Sequence, residues 1–549
     1  LDTAALVPKA IVEPPPPAAA APEPRVPDFI YEVAVKAHTQ RDPDIPPALR
    51  GRLAGLATPH VVERFVRLGV SHVELMPIAA WIDERHLPPL GLRNAWGYNP
   101  VAFMAPDPRL APGGWADLAE VVAALGEAGV GVLLDVVFNH TGESDAGGPV
   151  LSLRGLDNAL YYRRSASGDF VNDAGCGNTL ACDEPAVIEL VLDALRHYAR
   201  AGVAGFRFAL ASVLGRGAAG FSPDAPLLAA IAADPILRGL TLIAEPWDVG
   251  LGGYQLGQFR HPWREWNDRC RDDMRRFWRG DAGALGPFAT RLAGSADLFE
   301  AAGRRPSANI NFVAAHDGFS LRDLVTYSVR RNHANGEDNR DGSGHEIAWA
   351  CGVEGESDEE SVQARRRGDV RALLASLFLA RGTPMLTAGD ECGRTQGGNN
   401  NAYAQDNETT WLDWPGADAA LADFVAGLAR LRAVAPALTE DRFLTGRAGR
   451  DDLIDVIWSL PDGRAPTAED WRDGDAMALT LAPMERDGPR LHLVFNRGAA
   501  RPLAPPPCPA GKRWRLALDS AAGLVAPDGA DGLLPATAPA RGVLARLET

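Results

Sequence analysis

The sequence predicts an α/β fold: a closed (β/α)8 TIM barrel with an inserted loop region after the third strand, followed by a C-terminal antiparallel β-sandwich. Eight short apolar runs alternate with helical stretches as far as residue 388, which is typical of a parallel sheet. No Gly-rich phosphate turn follows the first run, although an open doubly wound sheet would want one. Beyond about residue 436 the runs become short and alternating, with Pro and Gly between them, which indicates antiparallel strands.

The individual elements follow from the spacing of apolar residues. In chain order, the barrel strands are predicted at residues 29–36, 72–76, 131–140, 203–211, 241–245, 263–267, 308–313 and 384–388. Helices are predicted at residues 59–69, 115–129, 185–201, 268–278 and 361–380. The alternation pauses over residues 141–183, a Gly- and Asn-rich stretch long enough to form a lobe over a site.

Three segments are expected along the chain. Residues 1–28 form a Pro/Ala-rich linker, because proline favours extended structure and this stretch can bury almost nothing. Residues 29–436 form the barrel, with residues 141–183 as its inserted lobe. Residues 437–549 form the β-sandwich, with strands predicted at 453–458, 477–481, 491–495 and 514–518.

The composition is that of a soluble globular protein, and it narrows the choice of partner. Of 549 residues, 46% are hydrophobic and 23% are charged, and the net charge is −16. This surplus of negative charge argues against nucleic acid and fits a neutral substrate such as a sugar. No run is apolar and long enough to span a bilayer, so no membrane partner is expected. The six cysteines contain no C-x-x-C pair, which disfavours zinc and indicates free thiols in a cytoplasmic setting.

Polar residues stand where the predicted strands end, which is where a (β/α)8 barrel carries its active site. These residues and the aromatic and acidic side chains around them are Trp96, Tyr98, Asp135, Asn139, His140, Arg207, Glu245, Trp247, Asp248, His316 and Asp317. Hydrolysis of a glycosidic bond with retention needs two carboxyl groups about 5–5.5 Å apart, and acids on neighbouring strand ends can meet that spacing. The residues alone therefore predict a barrel enzyme with a carboxylate-rich site suited to a glycosidase.

Four strings resemble the four sequence regions of the α-amylase superfamily of glycoside hydrolases, in their proper order. They are Asp135-Val-Val-Phe-Asn-His140, Gly205-Phe-Arg-Phe208, Glu245-Pro-Trp-Asp248 and Asn311-Phe-Val-Ala-Ala-His-Asp317. Further strings, such as Gly252-Gly-Tyr-Gln-Leu-Gly-Gln-Phe259 and Asn399-Asn-Asn-Ala-Tyr403, resemble bacterial glycogen debranching enzymes of the isoamylase type. The resemblance implies hydrolysis of α-1,6 branch linkages in glycogen or limit dextrin, without an organic cofactor.

The resemblance also implies a role for each matching residue. Glu245 would be the general acid/base, and Asp317 would stabilise the transition state. Ala209 occupies the position where the family carries its nucleophilic Asp. The substrate-binding and supporting residues would be Tyr98, Asp135, His140, Arg207, Trp247 and His316. No metal is expected, because the ligand set of the calcium site found in the amylases is not recognisable here.

Two departures from the family bear on function. Ala209 has no carboxylate, and neither Ser212 nor Asp224 offers a ready substitute. Impaired turnover is therefore expected, because loss of a group that acts covalently usually costs several orders of magnitude in rate. The family also carries a starch-binding β-sandwich before its barrel, which this sequence is expected to lack. Ala209 has three explanations: an engineered substrate trap, a natural inactive relative or a sequence error.

Two other functions stay open. One is a non-catalytic glucan-binding or regulatory protein, which the loss of the nucleophile favours and the presence of Glu245 and Asp317 disfavours. The other keeps the enzyme but changes its specificity to α-1,4 linkages or to trehalose-pathway substrates. The products formed from a branched dextrin would discriminate between them.

Overall fold

The fold was analysed in a computed structural model, which describes residues 11–12, 25–449, 452–530 and 534–549. Most of the predicted Pro/Ala-rich linker, residues 1–10 and 13–24, lies outside the described residues. The strands are β1 Ile30–Val33, β2 His72–Leu75, β3 Gly131–Val136, β4 Gly205–Phe208, β5 Arg216–Gly217, β6 Gly220–Phe221, β7 Thr241–Ala244, β8 Arg264–Asn267, β9 Asn309–Asn311, β10 Thr383–Thr387, β11 Val456–Ser459, β12 Ala476–Leu481, β13 Leu491–Asn496, β14 Arg501–Pro502, β15 Trp514–Asp519, β16 Leu524–Ala530, β17 Thr537–Ala538 and β18 Gly542–Glu548.

The helices alternate with the strands through the first two thirds of the chain. They are α1 Val35–Thr39, α2 Pro59–Leu68, α3 Trp115–Glu127, α4 Leu153–Tyr161, α5 Pro185–Arg200, α6 Pro226–Ala233, α7 Asp268–Arg279, α8 Leu285–Leu292, α9 Ala296–Phe299, α10 Glu360–Leu379, α11 Ala419–Ala433, α12 Pro436–Thr439 and α13 Ala468–Asp473. Helix α2 ends where Gly69 adopts a left-handed conformation, with φ 83°.

Eight strands close into a parallel barrel in the order β1-β2-β3-β4-β7-β8-β9-β10, with β10 pairing back onto β1. The predicted (β/α)8 barrel is thus confirmed. Its interior is filled by side chains from opposite walls, among them Ile30, Leu133, Ile243, Trp266 and Met385. Its strands are apolar on both faces because the outer face packs against the helices, which explains why they read as continuous hydrophobic runs.

Seven of the eight predicted barrel strands are longer than the observed ones, and three of them are longer by four residues or more. Strand β1 ends at Val33, where helix α1 soon begins, although a strand was predicted as far as residue 36. Strand β3 ends at Val136, whose register partner Phe208 is the last residue of β4. The predicted stretches 131–140 and 203–211 therefore finish in loops, because beyond Val136 and Phe208 neither strand has a ladder partner.

The inserted stretch after β3 is organised by a buried carboxylate. Glu143 accepts hydrogen bonds from the backbone N–H groups of Leu151, Ser152 and Arg154 at 2.7, 2.8 and 2.9 Å, and from the Tyr162 hydroxyl. Burial works against the charge, but these donors hold the pKa of Glu143 below its ordinary value. These hydrogen bonds fix the first turn of helix α4 within a Gly-rich stretch.

The C-terminal region is built on one six-stranded antiparallel sheet in the order β11-β12-β13-β18-β15-β16. One face, with Leu479, Leu493 and Ala545, joins the core shared with the barrel. The other face, with Ala478, Val494 and Leu544, is covered by Ala538 of the two-stranded pair β14-β17. The second layer of the predicted sandwich is therefore a single short ribbon.

Candidate active site

The paired ends of β3 and β4 place a buried ion pair at the barrel mouth. Asp135 and Arg207 lie opposite each other in the register, and Arg207 Nη1 donates to both carboxylate oxygens at 3.0 and 2.9 Å. Arg207 Nη2 lies 3.2 Å from Glu245 Oε2, and the guanidinium carbon lies 4.1 Å from the centre of the Trp266 ring. Arg207 therefore connects two carboxylates from different strands over an aromatic floor.

The turn after β4 fixes position 209 between the two neighbouring strands. The Ala209 N–H donates to the Val136 carbonyl at 3.0 Å, and Asn139 Nδ2 donates to the Ala209 carbonyl at 2.8 Å. Leu210 then adopts a left-handed conformation, with φ 43°, and its N–H donates to Glu245 Oε2 at 2.6 Å. A non-glycine residue in this region is strained, and strain of this kind is often found at functional sites.

Several buried polar atoms around this turn have no hydrogen-bond partner. They are Nε of Arg207, Nε2 of His140 and Oγ of Ser212. Ala209 directly follows the last residue of β4, and its side chain carries no polar atom. His140 donates its Nδ1–H to Asn139 Oδ1, so Nε2 of the neutral ring is an acceptor without a partner. Nε of Arg207 is a buried donor without a partner.

His316 sits in a second cluster, built from β1 and the loop that carries Trp96 and Tyr98. His316 Nδ1 lies 2.6 Å from Glu32 Oε1, and Thr387 Oγ1 donates to the other Glu32 oxygen at 2.7 Å. The Tyr98 ring stacks on His316 at 4.9 Å, and Trp96 meets it edge-on at 5.0 Å. The Tyr98 hydroxyl donates to Asp135, which joins this cluster to the Arg207 pair.

The electrostatics separate the two histidines. Burial favours the neutral form of both rings, and it lowers the pKa of His140 to about 4. At His316 the Glu32 carboxylate and then Asp317 outweigh burial, so the pKa is raised above its ordinary value. At neutral pH the His140 ring is therefore uncharged. The His316 ring is protonated more readily than an ordinary histidine, because its pKa is raised.

The carboxyl groups also differ. Burial raises the pKa of Asp135 to about 6, in spite of the opposing effects of Arg207 and Tyr98. Asp317 is exposed to the open cleft. Desolvation acts to raise the pKa of Asp317, but His316 and Arg271 outweigh it and hold the pKa below its ordinary value. Asp317 is therefore an exposed acceptor that favours the charged form.

Two predicted site residues stand apart from these clusters. Trp247 packs against the apolar side chains of the barrel interior. Asp248 holds Arg216 at 2.6 Å and caps the Gly250 N–H at 2.8 Å, so its carboxylate is occupied within the loop. Asp248 therefore stabilises this loop through its bonds to Arg216 and Gly250.

Sequence reasoning missed Glu32, Glu74 and the contact of Trp266 with Arg207. Glu32 and Glu74 are register partners on β1 and β2, and both are buried. The available signal was an acid in the middle of each of two apolar strand runs, because such a residue must find a partner or stay neutral. Trp266 is buried, and its ring lies beneath the guanidinium group of Arg207.

Curated relatives identify the family. The glycogen debranching enzyme of Serratia proteamaculans (strain 568) is 47% identical over 488 residues, covering 86% of this chain and 72% of that protein. The chain belongs to the glycogen debranching enzyme family. The family member of Pectobacterium carotovorum subsp. carotovorum (strain PC1) is 48% identical over 449 residues, covering 81% of this chain and 67% of that protein. The glycogen debranching enzymes are glycoside hydrolases, as the resemblance in the sequence predicted. No family model matches the chain.

Solved structures of pullulanases share the fold. The pullulanase from Bacillus acidopullulyticus has a TM-score of 0.71 at 22% identity, covering 95% of this chain and 60% of that one. The type I pullulanase from Bacillus subtilis str. 168, complexed with maltose, has a TM-score of 0.72 at 20% identity, covering 98% and 72%. These neighbours support the barrel with its C-terminal β domain.

Among the residues that the structure describes, no helix is long and apolar enough to cross a membrane. No three His, Cys, Asp or Glu side chains in those same ranges are arranged to hold a metal ion. All six cysteines are free thiols.

Proposed function

We propose that this chain is built to hydrolyse α-1,6-glucosidic branch linkages in glycogen or limit dextrin by a retaining mechanism, and that Ala209 impairs the reaction. One observation carries the proposal. The carboxylate of Glu245 accepts the N–H of Leu210, the residue directly after position 209, so a general acid and the nucleophile position are held together by one bond. Retaining hydrolysis needs this pairing of two groups on one scissile bond.

In the proposed reaction Glu245 donates a proton to the glycosidic oxygen as the bond to C1 breaks. The growing positive charge at C1 is stabilised by the ionised Asp317, whose pKa is depressed by His316 and Arg271 in spite of desolvation. The complete reaction then needs a carboxylate to bond to C1 and later be displaced by water, with Glu245 taking the proton back. Ala209 offers no such oxygen, so this chain has no route to the glycosyl-enzyme intermediate.

The remaining residues hold the sugar in the proposed site. His140 and His316 bond its hydroxyls, and the Tyr98 ring, already stacked on His316 at 4.9 Å, offers an apolar face for the pyranose. Arg207, held by Asp135 at 2.9 Å, fixes the end of β4 and so the position of residue 209. No cofactor enters this reaction, and the partner is the branched α-glucan itself.

A second candidate is a non-catalytic glucan-binding protein. The observation that favours it is that Ala209 offers no carboxylate while Nε of Arg207 and Nε2 of His140 are buried without a hydrogen-bond partner. Such a protein would hold branched glucan without cleaving it. Binding of a maltooligosaccharide no tighter than that of an unrelated protein would exclude both this candidate and a substrate trap.

The linkage specificity is tested with the Ala209→Asp variant, which restores the carboxylate. Branched limit dextrin and linear amylose are digested in parallel, and the chain lengths of the products are measured. Release of short linear chains from the dextrin, with amylose left intact, is the expected result. A ladder of short oligomers from amylose would instead identify an α-1,4 hydrolase. Activity on trehalose-type substrates alone would also overturn the proposal.

A further inference from the structure

A cavity of about 590 Å³ lies outside the barrel mouth, where the C-terminal sheet meets helices α10 and α11. Its walls are formed by one face of α10, the start of α11 and the turn at Ala522 and Gly523. Pockets for small molecules commonly have volumes of about 300–1,000 Å³. The proposed hydrolase uses none of the residues that line it.

One wall of the cavity is cationic. Gln363, Arg367 and Arg371 recur along α10 every four residues, and Arg366 lies three residues after Gln363, so they share one helix face. Arg322 joins them from a neighbouring loop. This concentration of arginine occurs in a chain whose net charge is −16. Planar guanidinium groups are suited to binding phosphate through paired hydrogen bonds.

The α10 arginines lack buried carboxylate partners. Arg366 is 4% exposed, and its Nη2 donates to the carbonyls of Val353 and Gly355 at 2.6 and 2.7 Å, while its Nε and Nη1 have no partner. Arg371 donates to the carbonyls of Ser520 and Ala521 at 2.7 and 3.0 Å. Burial and then repulsion from Arg367 lower the pKa of Arg371. An anion in the cavity would relieve that repulsion.

The remaining arginine pairs are at the surface and weak. Arg367 contacts Glu360, whose side chain is 81% exposed. Arg322 contacts Glu356 at 3.0 Å, and both side chains are well exposed. Exposed ion pairs of this kind contribute little to stability, so either arginine can leave its partner and bind a ligand instead. Both guanidinium groups are thus available to a ligand.

The opposite wall carries two carboxylates, Asp390 and Asp418. Asp390 is buried, and its Oδ1 accepts from Arg394 Nε at 3.0 Å and from the Leu321 N–H at 3.2 Å, whereas its Oδ2 has no hydrogen-bond partner. Asp418 caps α11 through the Leu421 N–H at 3.0 Å, which occupies one of its oxygens. A ligand with a phosphate at one end and hydroxyl groups at the other could bond to both walls. Its phosphate would contact the arginines, and its hydroxyls would donate hydrogen bonds to the carboxylates.

We propose that this cavity binds a phosphorylated monosaccharide, with the phosphate on Arg366, Arg367 and Arg371 and the sugar hydroxyls on Asp390 and Asp418. A purely structural role accounts for Arg371, which joins α10 to the C-terminal sheet through two carbonyls. It does not account for the unpartnered nitrogens of Arg366 or for Arg367 beside them. The proposal does not depend on hydrolysis.

Calorimetric titration of the chain as it stands tests the site. Glucose 6-phosphate, inorganic phosphate and glucose are titrated separately. Glucose 6-phosphate should bind, inorganic phosphate should bind at least tenfold more weakly, and glucose should show no measurable binding. Raising the salt concentration should weaken both phosphate ligands.

Two variants address the two walls. Arg367→Gln removes a cation, keeps a good helix former and should weaken glucose 6-phosphate about tenfold or more. Asp418→Asn keeps a good helix cap and should weaken glucose 6-phosphate but not inorganic phosphate. Arg340→Gln is the matched control, because Arg340 is exposed, pairs with exposed Asp338 and lies outside the cavity. Absence of binding by the unaltered chain, equal affinity for the two phosphate ligands, or unchanged affinity in either variant would overturn the proposal.

Discussion

At the scale of single residues, the central feature of the barrel mouth is Ala209, which carries only a methyl group at the proposed nucleophile position. Ala209 is fixed by two backbone hydrogen bonds, and the next N–H is bonded to Glu245. Arg207, two residues earlier on β4, bonds Asp135 but keeps Nε without a partner. Buried polar groups usually have a hydrogen-bond partner, so this nitrogen is an exception in the site.

Glu74 is the residue whose surroundings are least favourable to its charge. It is fully buried on β2, and neither carboxyl oxygen has a hydrogen-bond partner. Burial, and then repulsion from Asp135, raise its pKa well above the ordinary value, with Arg207 opposing. A carboxyl with a raised pKa keeps its proton in the folded state, so stability falls as pH rises above the unfolded value of about 4.3.

Glu74→Gln should therefore remove a pH-dependent penalty. We expect little difference from the parent protein at pH 5 and a gain at pH 8, because one pH unit between the unfolded and folded pKa values costs about 1.4 kcal/mol. Denaturant midpoints at the two pH values measure it. A variant that is equally destabilised at both would show that Glu74 is ionised and paired in the folded protein.

Much of the site could be inferred at this scale from sequence. Asp135, Arg207 and Glu245 were placed together because strand ends meet at one edge of a barrel, and the structure brings them within hydrogen-bond or ion-pair distance. The contact between Glu32 and His316 was not predicted, because these residues are far apart in the chain. They meet only because the barrel closes, which places β10 between β1 and β9.

At the scale of elements, helix α10 joins the barrel to the C-terminal sheet. Asp369, 1% exposed, accepts two hydrogen bonds from Arg541 at 2.9 and 2.8 Å and one from Trp349 Nε1 at 2.8 Å. Arg541 also donates to the Trp278 carbonyl on α7 at 2.7 Å. One carboxylate thus holds the start of β18 against two barrel helices.

Asp369→Ala should be strongly destabilising, because it leaves Arg541 and Trp349 without their acceptor. Breaking a buried pair typically costs about 3–5 kcal/mol. Asp224→Ala is the control: the Asp224–Arg260 pair is equally close at 2.6 Å but about 60% exposed on both sides. It should change stability by less than about 1 kcal/mol. Equal shifts of the thermal midpoint in the two variants would contradict this account of α10.

Two strands of the C-terminal sheet were not predicted, and each has a physical reason. Strand β16 contains Pro527, Asp528 and Gly529, which disfavour strands, and it is tolerated because β16 is an edge strand. Strand β18 is buried along its whole length and carries Arg546 and Glu548, so it lacks the usual alternation. Arg546 is retained by a bond to the Pro535 carbonyl.

At the scale of the whole molecule, buried histidines make the fold sensitive to acid. Burial lowers the pKa of His72 to about 4, of His140 to about 4 and of His492 to about 3. A histidine with a depressed pKa stays neutral in the folded state while the unfolded chain takes up a proton below about pH 6.5. Stability is therefore lost as pH falls from about 6.5 towards the folded values.

His492→Gln isolates one of these contributions. Between pH 6.5 and 5 the parent protein should lose about 2 kcal/mol through this ring alone, at about 1.4 kcal/mol per pH unit, and the variant should not. His345→Gln, at an exposed histidine, is the control. Denaturant midpoints at pH 6.5 and 5.0 compare the three proteins. If His492→Gln lost as much stability as the parent protein between pH 6.5 and 5.0, the His492 ring would have to be protonated in the folded protein.

The fold class was predictable because its signal is spread over many elements, each of which had only to be apolar and correctly spaced. The proposed function of this chain depends on the side chain at position 209, and neither packing nor periodicity predicts its effect on activity. Ala209 fits its buried position without strain on the barrel, since its backbone bonds to Val136 and Asn139 are both made. Activity must therefore be measured.

The most direct measurement counts new reducing ends released from phosphorylase limit dextrin by the unaltered chain and by Ala209→Asp, with an Ala209→Asp/Glu245→Gln double variant as control. The account predicts turnover by Ala209→Asp, several orders of magnitude less by the unaltered chain and a large loss in the double variant. Comparable turnover by the unaltered chain would contradict it, because another carboxylate would then be the nucleophile.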